Sequence, residues 1–471
     1  MAPLRILLVT SNGWGLGHLT RQLAIALAIG DRADTTMFSL SPGFPLAMEF
    51  GVRGEYCPSF TTQFIVRKEW DNYLQDRLTA FADEVRPDVL LFDGVAPYSG
   101  FMRAVAQLDC VVGWLRRGMW REGSNEHQLR KTDGFDFVIE PTDLASEIDT
   151  GATTGAESLR VPPISLLEVM SQLDRDTAAR ELGLDPDRPT LLLTLGSGRL
   201  GDVAGPGSTA LDAVLAHPEW QVAVTNSPVA VNLVPLVDDS RVIEIKGVYP
   251  LLRYFNAFDA TVSAAGYNSV HELIPAGVPT LLIPNTSSKT DNQEGRAQYL
   301  ADLGVALSAR DDDLPAVAKE TARLLDPAVR ADLVASHQSS GVATRVGGAT
   351  AVAAELLKPP QPSGRERAQT HWDAPLSSRL AGAILGESGK ARVKKLLGRT
   401  VPDYTTERRR VRLGDPPTGP EGDVLTLVIA SDRARIDPRA SYPIEHLLAE
   451  SSPGYQQRRL EIVDKYYEVV E

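Results

Sequence analysis

Short apolar runs alternate with helix-like segments along residues 1–357. This alternation is typical of βαβ units stacked into a parallel sheet. Leu19, Leu23 and Leu27 form an apolar stripe at spacing four, which predicts a helix after the first strand. A first series of runs predicts strands at residues 6–10, 35–40, 89–92, 110–115 and 135–140. A second series predicts strands at residues 190–195, 221–225, 242–246, 260–263 and 280–284.

Two successive series of this kind predict an α/β fold with two Rossmann-like domains that face each other across a cleft. The pattern breaks near Val161–Pro162–Pro163, so we place the domains at residues 1–160 and 161–357. In open parallel sheets, ligands bind beyond the carboxyl ends of the strands. We therefore expect the functional residues in the loops that follow the strands.

A different composition begins after residue 357. Pro359, Pro360 and Pro362 open a stretch rich in Arg, Pro and Gly, which predicts a linker, a loosely ordered arm or a small subdomain at 358–471. Residues 390–412 carry nine Lys/Arg and two acids, and one strand-like run follows at 424–430. One hypothesis is that the basic stretch docks on anionic lipid. The alternative is a solvated arm that packs on the acidic body.

Composition limits the class of protein. The formal charge of −13 argues against a nucleic-acid binder, which usually has a basic footprint. Cys57 and Cys110 are too few for a disulfide scaffold or a thiolate metal site, so we expect a reducing, cytoplasmic setting. The apolar start resembles a first strand more than a signal peptide, and no stretch is apolar enough to span a bilayer. Any membrane contact would be peripheral, at the inner face.

In each of the two series, one glycine-containing loop follows the first strand. In NGWGLGHLTR, residues 12–21, three glycines permit close approach to a ligand, and His18 stands where a dinucleotide fingerprint needs glycine. A neutral His18 facing the cleft could accept a proton near pH 7. In TLGSGRLGD, residues 194–202, Asp202 replaces the lysine of a P-loop. Small residues including Gly196 and Ser197 could still contact a phosphate there.

The stretch SAAGYNSVHELIPAGVP, residues 263–279, predicts a turn from strand to helix. Ser269 and Glu272 fit a capping box, with Ser269 as N-cap. They also fit a nucleotide site, in which the helix start meets a diphosphate and Glu272 accepts hydrogen bonds from ribose hydroxyls. The polar loop PNTSSKTDNQEGRA, residues 284–297, has the mixture of donors and acceptors that sugars require.

In this order and spacing the loops resemble those of GT-B glycosyltransferases, in particular the inverting MurG and UDP-glucuronosyltransferase relatives. The resemblance covers about residues 4–357 and is strongest where GYNSVHELIPAGVPTLLIP is followed by DNQEGRA. It implies a donor UDP-sugar and no other cofactor or metal. It implies nucleotide- and diphosphate-binding roles for Gly15, Gly17, Gly196, Ser197, Gly247, Val248, Gly266, Tyr267, Asn268, Ser269 and Glu272. Donor-sugar contacts are implied for Asp291, Asn292 and Gln293.

The same resemblance implies an acceptor side in the first domain. His18 is the candidate base, and Asp93, in RPDVLLFDGVAPYSG, is a second candidate base or a partner that orients His18. Tyr98 belongs to the same segment. Arg116 and Arg117 could bind an acidic acceptor, although exposed solubilising charges explain them equally well. The expected reaction is transfer of GlcNAc or a hexose to a hydroxyl with inversion, without a metal; the acceptor, lipid-linked or another glycan, is not named by any motif.

The sequence departs from the family pattern in places, and other functions compete. Arg296–Ala297 replaces a common Asn-Ala step and Pro275 interrupts the signature helix, which leaves the sugar open. Retaining GT-B enzymes often carry a second Glu where this chain has Ala264, which favours inversion. Asp-x-Asp spacings at 174–176 and 185–187 fall in a helix start and a turn, not at a strand end. The remaining alternatives are a nonhydrolysing UDP-sugar epimerase and an inactive nucleotide-sugar sensor.

Overall fold

The computed structural model describes residues 3–11, 16–59, 67–196, 202–225, 234–288, 290–360, 409–412 and 451–470. Strands account for two large parallel sheets and one small one. The predicted strand at 424–430 and most of the basic stretch 390–412 lie outside the described residues. Among the helices in the described ranges, none combines the length and apolar character that crossing a membrane requires.

The first sheet has seven parallel strands in the order β3-β2-β1-β4-β5-β6-β7. Its interior strands are continuous apolar runs because helices cover both faces, as all-parallel sheets require. Leu7, Leu8 and Val9 of β1, for example, are all buried. The strands are β1 (Arg5–Thr10), β2 (Asp34–Ser39), β3 (Arg53–Tyr56), β4 (Val89–Asp93), β5 (Val111–Leu115), β6 (Phe137–Pro141) and β7 (Leu159–Val161).

The second sheet repeats this winding with six parallel strands in the order β10-β9-β8-β11-β12-β13. In both sheets the strand order reverses beside the first strand, between β1 and β4 and between β8 and β11. The strands are β8 (Thr190–Thr194), β9 (Gln221–Thr225), β10 (Val242–Ile245), β11 (Ala260–Ala264), β12 (Thr280–Ile283) and β13 (Leu307–Ser308). We call the two sheets with their helices the first and second domains.

Helices connect the strands. The α-helices are α1 (Gly17–Ile29), α2 (Phe44–Met48), α3 (Arg67–Val85), α4 (Ser99–Val105), α5 (Arg175–Glu181), α6 (Ala204–Leu215), α7 (Tyr267–Leu273), α8 (Gln293–Asp302), α9 (Leu314–Leu324), α10 (Pro327–Ser339), α11 (Gly348–Leu356) and α12 (Pro453–Tyr466). The 3₁₀ helices are Gly30–Arg32, Glu126–Gly134, Ser146–Ile148, Leu166–Glu168, Leu251–Ala257 and Val342–Thr344. Leu19 and Leu23 of the predicted stripe are buried on α1.

The predicted fold class, two Rossmann-like α/β domains, is confirmed. All ten strands predicted within residues 1–357 are present, with ends that differ by one or two residues. The sequence missed β3, β7 and β13, which are two to four residues long. The proposed bounds at 160 and 357 stay predictions; the strands of the two large sheets lie within residues 5–161 and 190–308.

The chain returns to the first domain after it has completed the second. Helix α11 packs on α1 and places Val352 and Leu356 in a core that also contains Leu23. Helix α12 packs on α3, where Tyr455 and Ile462 are buried. The first domain is therefore completed by two helices that follow the second domain in the sequence.

The described end of the chain is tied to the first domain by polar contacts as well. Ser452 donates to Glu84, and the Arg458 guanidinium lies 2.6 Å from Asp83 Oδ2. Beyond α12, β15 (Tyr467–Val470) pairs in parallel with β14 (Arg409–Arg412), so the end of the basic stretch pairs with the strand that follows this docked helix.

Candidate functional site

The two points at which strand order reverses meet at one cleft of about 440 Å³. In a doubly wound sheet this reversal opens a crevice between the loops that follow the two central strands. Gly17 and His18 reach the cleft after β1, and Gly196 reaches it after β8. Gly266 and the first residues of α7 reach it after β11. The cleft is therefore the place where the predicted ligand loops of both domains come together.

His18 stands in the first turn of α1 and is held by the end of a neighbouring strand. Its Nδ1 lies 2.8 Å from Oδ1 of Asp93, the last residue of β4. Arg21, one turn later, donates to both oxygens of that carboxylate, from Nε at 3.0 Å and from Nη2 at 2.8 Å. Nη2 also lies 2.6 Å from His18 Nδ1. Arg21 only donates and Asp93 only accepts, so Nδ1 can hydrogen-bond to one of them at a time. Because Arg21 is already paired with both carboxylate oxygens, we assign the imidazole hydrogen to Nδ1, donated to Asp93, and this tautomer leaves a lone pair on Nε2.

The electrostatics of this trio suit a base. Burial lowers the pKa of the His18 imidazole below its ordinary value and the Arg21 charge acts in the same direction, while Asp93 opposes them. Burial disfavours the Asp93 carboxylate, yet Arg21 and His18 outweigh burial and hold its pKa below the usual range. His18 is neutral near pH 7 with its side chain 17% exposed, whereas Asp93 is charged and 1% exposed. This placement favours Asp93 as the partner that orients His18.

Helix α7 begins earlier than the capping box predicts. Its N-cap is Gly266, without a side-chain cap, so Ser269 is already the third helical residue and caps nothing. The predicted capping box is wrong, because the chain turns at the glycine and Tyr267 starts the helix. Both Ser269 and Glu272 line the cleft instead. Burial raises the pKa of the Glu272 carboxyl to about 8.

Tyr267 and Asn268 join α7 to the first domain. Asn268 donates from Nδ2 to the carbonyl of Gly17 at 3.2 Å, and its side chain reaches Arg21. The Tyr267 hydroxyl donates to the carbonyl of Thr142, and its ring lies 5.3 Å from the Arg21 guanidinium. These predicted nucleotide-binding residues therefore hold the two domains together at the cleft.

The predicted donor-sugar residues differ in what their side chains do. Asp291 lines the cleft, but its carboxylate is bound by two arginines, Arg117 and Arg296. Asn292 caps α8, where its Oδ1 accepts from Gly295 N at 3.1 Å. Gln293 lines the cleft; its Oε1 accepts from Asn285 N, and its amide nitrogen has no hydrogen-bond partner among the described residues.

The remaining predicted positions divide into four groups. Gly17, Gly196 and Arg117 line the cleft. Gly247 and Val248 do not line it, although the next residue, Tyr249, does. Tyr98 and Arg116 are buried in the first domain away from the cleft, and Arg116 donates to Glu140 rather than facing an acceptor. Gly15 and Ser197 lie outside the described residues.

Sequence reasoning assigned no role to the side chains of Arg21 and Tyr249, which both line the cleft. Arg21 follows His18 by three positions on a predicted helix, and that spacing signals that the two share a face. Tyr249, whose hydroxyl lies 3.0 Å from Thr20 Oγ1, follows a strand end by four residues and carries no motif. Among the described residues, no cluster of three or more His, Cys, Asp or Glu side chains is arranged to hold a metal.

Comparison with known proteins places this site in a family context. The model of the glycosyltransferase family 28 C-terminal domain matches residues 240–342, which include α7 and the 284–294 loop. Two curated relatives are UDP-N-acetylglucosamine–N-acetylmuramyl-(pentapeptide) pyrophosphoryl-undecaprenol N-acetylglucosamine transferases. The Leuconostoc citreum protein is 29% identical over 38% of this chain and 49% of its own length. The Nocardioides protein is 27% identical over 50% of this chain and 62% of its own length. The chain thus spans about half to three-fifths of these relatives.

Solved structures agree on the fold. A spinosyn forosaminyltransferase superposes with a TM-score of 0.55 at 14% identity, over 75% of this chain and 98% of its own. A Listeria monocytogenes protein described as a UDP-N-acetylglucosamine 2-epimerase has a TM-score of 0.51 at 13% identity, over 86% of this chain and 99% of its own. At such identity only the fold is shared, and the fold alone does not separate transferase from epimerase. In sequence and in fold, the chain resembles the GT-B glycosyltransferases of the MurG type.

Proposed function

We propose that the protein is a glycosyltransferase that moves a sugar from a UDP-sugar, UDP-GlcNAc or a UDP-hexose, to an acceptor hydroxyl with inversion. The observation that carries the proposal is the meeting of His18, oriented by Asp93, with Glu272 in one cleft. The first supplies a base and the second an acceptor for ribose hydroxyls. A sensor gives no reason for an oriented base, whereas an epimerase can use one, so the dependence of UDP release on an acceptor separates the transferase from the epimerase.

In the proposed reaction the acceptor oxygen forms a bond to the anomeric carbon while the bond from that carbon to the diphosphate oxygen breaks. The acceptor proton passes to Nε2 of His18, and UDP leaves with the bonding electrons. The diphosphate is proposed to lie against Gly196 and Gly266, because a Cβ at Gly266 would meet no other atom within 4 Å. Residues of this chain supply every group in the step, so we propose no metal and no further cofactor.

The acceptor is proposed to be a glycan or a lipid-linked sugar presented at the inner face of a membrane. The names of the two curated relatives include a pyrophosphoryl-undecaprenol acceptor, which supports this choice. We also propose peripheral membrane contact through residues 390–412, because their nine Lys/Arg against two acids would be attracted to anionic lipid.

The direct test measures UDP release from UDP-GlcNAc and UDP-hexoses with a pool of glycan and lipid-linked acceptors. Wild type should release UDP only when an acceptor is present, and His18→Ala should lose activity by at least about 100-fold. His18→Ala should still be protected by UDP against thermal unfolding, because Glu272 and the glycine turns are intact.

Other outcomes assign other functions. Conversion of UDP-GlcNAc to its epimer without an acceptor would support the epimerase alternative. Tight UDP binding without turnover across the acceptor pool would support the sensor. If UDP protects neither wild type nor variant from unfolding, the proposed nucleotide site is wrong.

A further inference from the structure

Two segments from opposite domains are paired beside the cleft. Trp120 of the first domain and Asp291 of the second form an antiparallel bridge. The backbone N–H of Arg121 donates to the Thr290 carbonyl at 3.0 Å, and that of Asn292 donates to the Met119 carbonyl at 2.9 Å. We call residues 117–121 with 290–294 the loop clamp. It attaches the predicted donor-sugar loop to the first domain by its main chain.

Charged side chains reinforce the loop clamp at its buried side. Asp291 Oδ1 accepts from Arg117 Nη1 at 3.2 Å and from Arg296 Nη2 at 2.9 Å. Arg296 also donates from Nε to Asp143 of the first domain at 2.9 Å and is fully buried. Two positive and two negative charges thus alternate along a chain of contacts that runs from the first domain through the second and back. A buried, paired network of this kind fixes geometry, since separating its members leaves charges unpaired.

The exposed side of the loop clamp has a second cation. Arg121 Nη2 lies 2.6 Å from Glu294 Oε2 and 3.4 Å from the Thr286 carbonyl. Arg121 therefore contacts both ends of the loop that places Asn285 and Gln293 in the cleft. The first domain holds this loop from both sides.

The network also restricts what Asp291 can do. Both of its oxygens accept from Arg296, and one also accepts from Arg117. Its pKa is held far below the usual range: burial acts against the charge, but Arg117 and Arg296 outweigh it. A carboxylate satisfied in this way serves the loop more than a sugar hydroxyl. Gln293, whose amide nitrogen has no partner among the described residues, is a loop residue that can donate to the sugar.

We propose that Arg117 is a positioning residue for the sugar part of the donor, acting through Asp291: the donor-sugar subsite takes its binding shape only while the loop clamp is closed. This rests on the proposed function. Arg117 and Arg121 belong to the first domain, the predicted acceptor side. The first domain therefore completes the donor-sugar subsite of the second domain. Closing the cleft and recognising the sugar are then one event.

The test compares UDP with the UDP-sugar that wild type uses, because only the UDP-sugar carries the group that the loop clamp positions; UDP has a free terminal phosphate oxygen in its place. Arg117→Ala, Arg117→Lys and Arg121→Ala are made in the full chain, and both dissociation constants are measured by calorimetry. Arg345→Ala is the matched control. Arg345 forms another Arg–acid pair between the domains, 3.2 Å from Glu147, but both side chains are about half exposed and outside the cleft.

Arg117→Ala and Arg121→Ala should weaken UDP-sugar binding by about tenfold while UDP affinity changes less than about twofold. The KM for the donor should rise with little change in kcat, Arg117→Lys should recover part of the loss, and Arg345→Ala should match wild type. Arg121→Ala, on the exposed side, keeps the test valid if Arg117→Ala fails to fold.

Three results would overturn the proposal in different ways. Equal loss for UDP and UDP-sugar in Arg117→Ala would show that Arg117 binds the diphosphate directly. Wild-type affinities in both Ala variants would show that the loop clamp does not shape the subsite. If wild type binds neither ligand, it is the proposed function that fails, and the loop clamp loses the role given to it here.

Discussion

At the scale of single residues, the base strength of His18 is set by two opposed neighbours. The Asp93 carboxylate favours the charged imidazole, whereas burial and the Arg21 guanidinium favour the neutral one. The balance keeps the pKa below its ordinary value of 6.5. A base must be neutral to accept a proton, so activity should fall only as the pH drops below that lowered pKa.

Replacing Asp93 separates its two effects. Asp93→Asn removes the negative charge and leaves Arg21 in place, so the pKa of His18 should fall further and the acid limb of the pH profile should move to lower pH. The plateau should nevertheless drop by on the order of 10²–10⁴-fold, because the imidazole loses the partner that fixes its tautomer. The measurement is kcat/KM for UDP release between pH 4.5 and 8.

Two controls accompany this variant. UDP affinity should be retained, which shows that the cleft has folded although Arg21 has lost its carboxylate partner. His18→Ala should show neither the plateau nor the acid limb. An Asp93→Asn plateau equal to that of wild type would remove Asp93 from the mechanism.

The sequence located His18 and Asp93 but not how they are connected. Asp93 ends β4 and His18 stands in the first turn of the helix that follows β1, so both lie at the carboxyl edge of the parallel sheet, which is enough to bring them near each other. Whether Asp93 acts as a base or orients one depends on how many donors reach it. That number is set by Arg21, whose side chain could equally have pointed to solvent, and by the packing of β4 beside β1.

At the scale of elements, helix α7 shows where pattern and geometry separate. Ser-x-x-Glu matches a capping box, but Gly266 adopts the turn and Tyr267 already begins the helix. The pattern cannot locate the start of a helix when tertiary contacts move that start. Here the Tyr267 hydroxyl donates to the first domain, and the helix begins three residues earlier than the pattern predicts. Longer buried strands were predictable because their apolar runs are continuous. The two-residue β13 has no run to detect.

The position of Glu272 on α7 predicts proton-linked nucleotide binding. With a pKa of about 8, the empty site holds mainly the neutral acid at pH 7. Hydrogen bonds from ribose hydroxyls favour the carboxylate, so binding should release a proton, and UDP affinity should increase as the pH rises from 6.5 to 8.5. Calorimetry in two buffers of different ionisation enthalpy measures that proton.

Glu272→Gln is the control, since it keeps the shape and removes the ionisation. It should bind UDP more weakly and release fewer protons than wild type at pH 6.5 and at pH 8.5. The ionisation of UDP itself is the same for the two proteins, so it cancels when they are compared. Identical proton release in wild type and Glu272→Gln would mean that Glu272 does not meet the ribose.

At the scale of the whole molecule, sequence order and spatial order differ. The alternation of strands and helices placed the first domain at residues 1–160, because sequence patterns report local periodicity. Tertiary packing adds α11 and α12 to that domain, and neither helix carries a motif that names its partner. Val352 and Leu356 are buried on α1, and Tyr455 and Ile462 on α3.

Truncation should therefore loosen the first domain stepwise. A chain ending at residue 360 lacks α12, and we expect faster amide exchange in α3 with α1 unchanged. A chain ending at residue 346 also lacks α11. The loss of Val352 and Leu356 removes about 3–6 kcal/mol of apolar burial, so α1 should then exchange faster and the unfolding midpoint should fall further.

Point variants distinguish packing from charge in the same experiment. Ile462→Ala in the full chain should reproduce most of the change in α3, because it removes a buried side chain. Arg458→Ala should have a small effect, because its ion pair with Asp83 is about half exposed on both sides. If the chain ending at 346 protects α1 as well as the full chain does, the first domain folds without α11, and the boundary suggested by the sequence alone is the physical one.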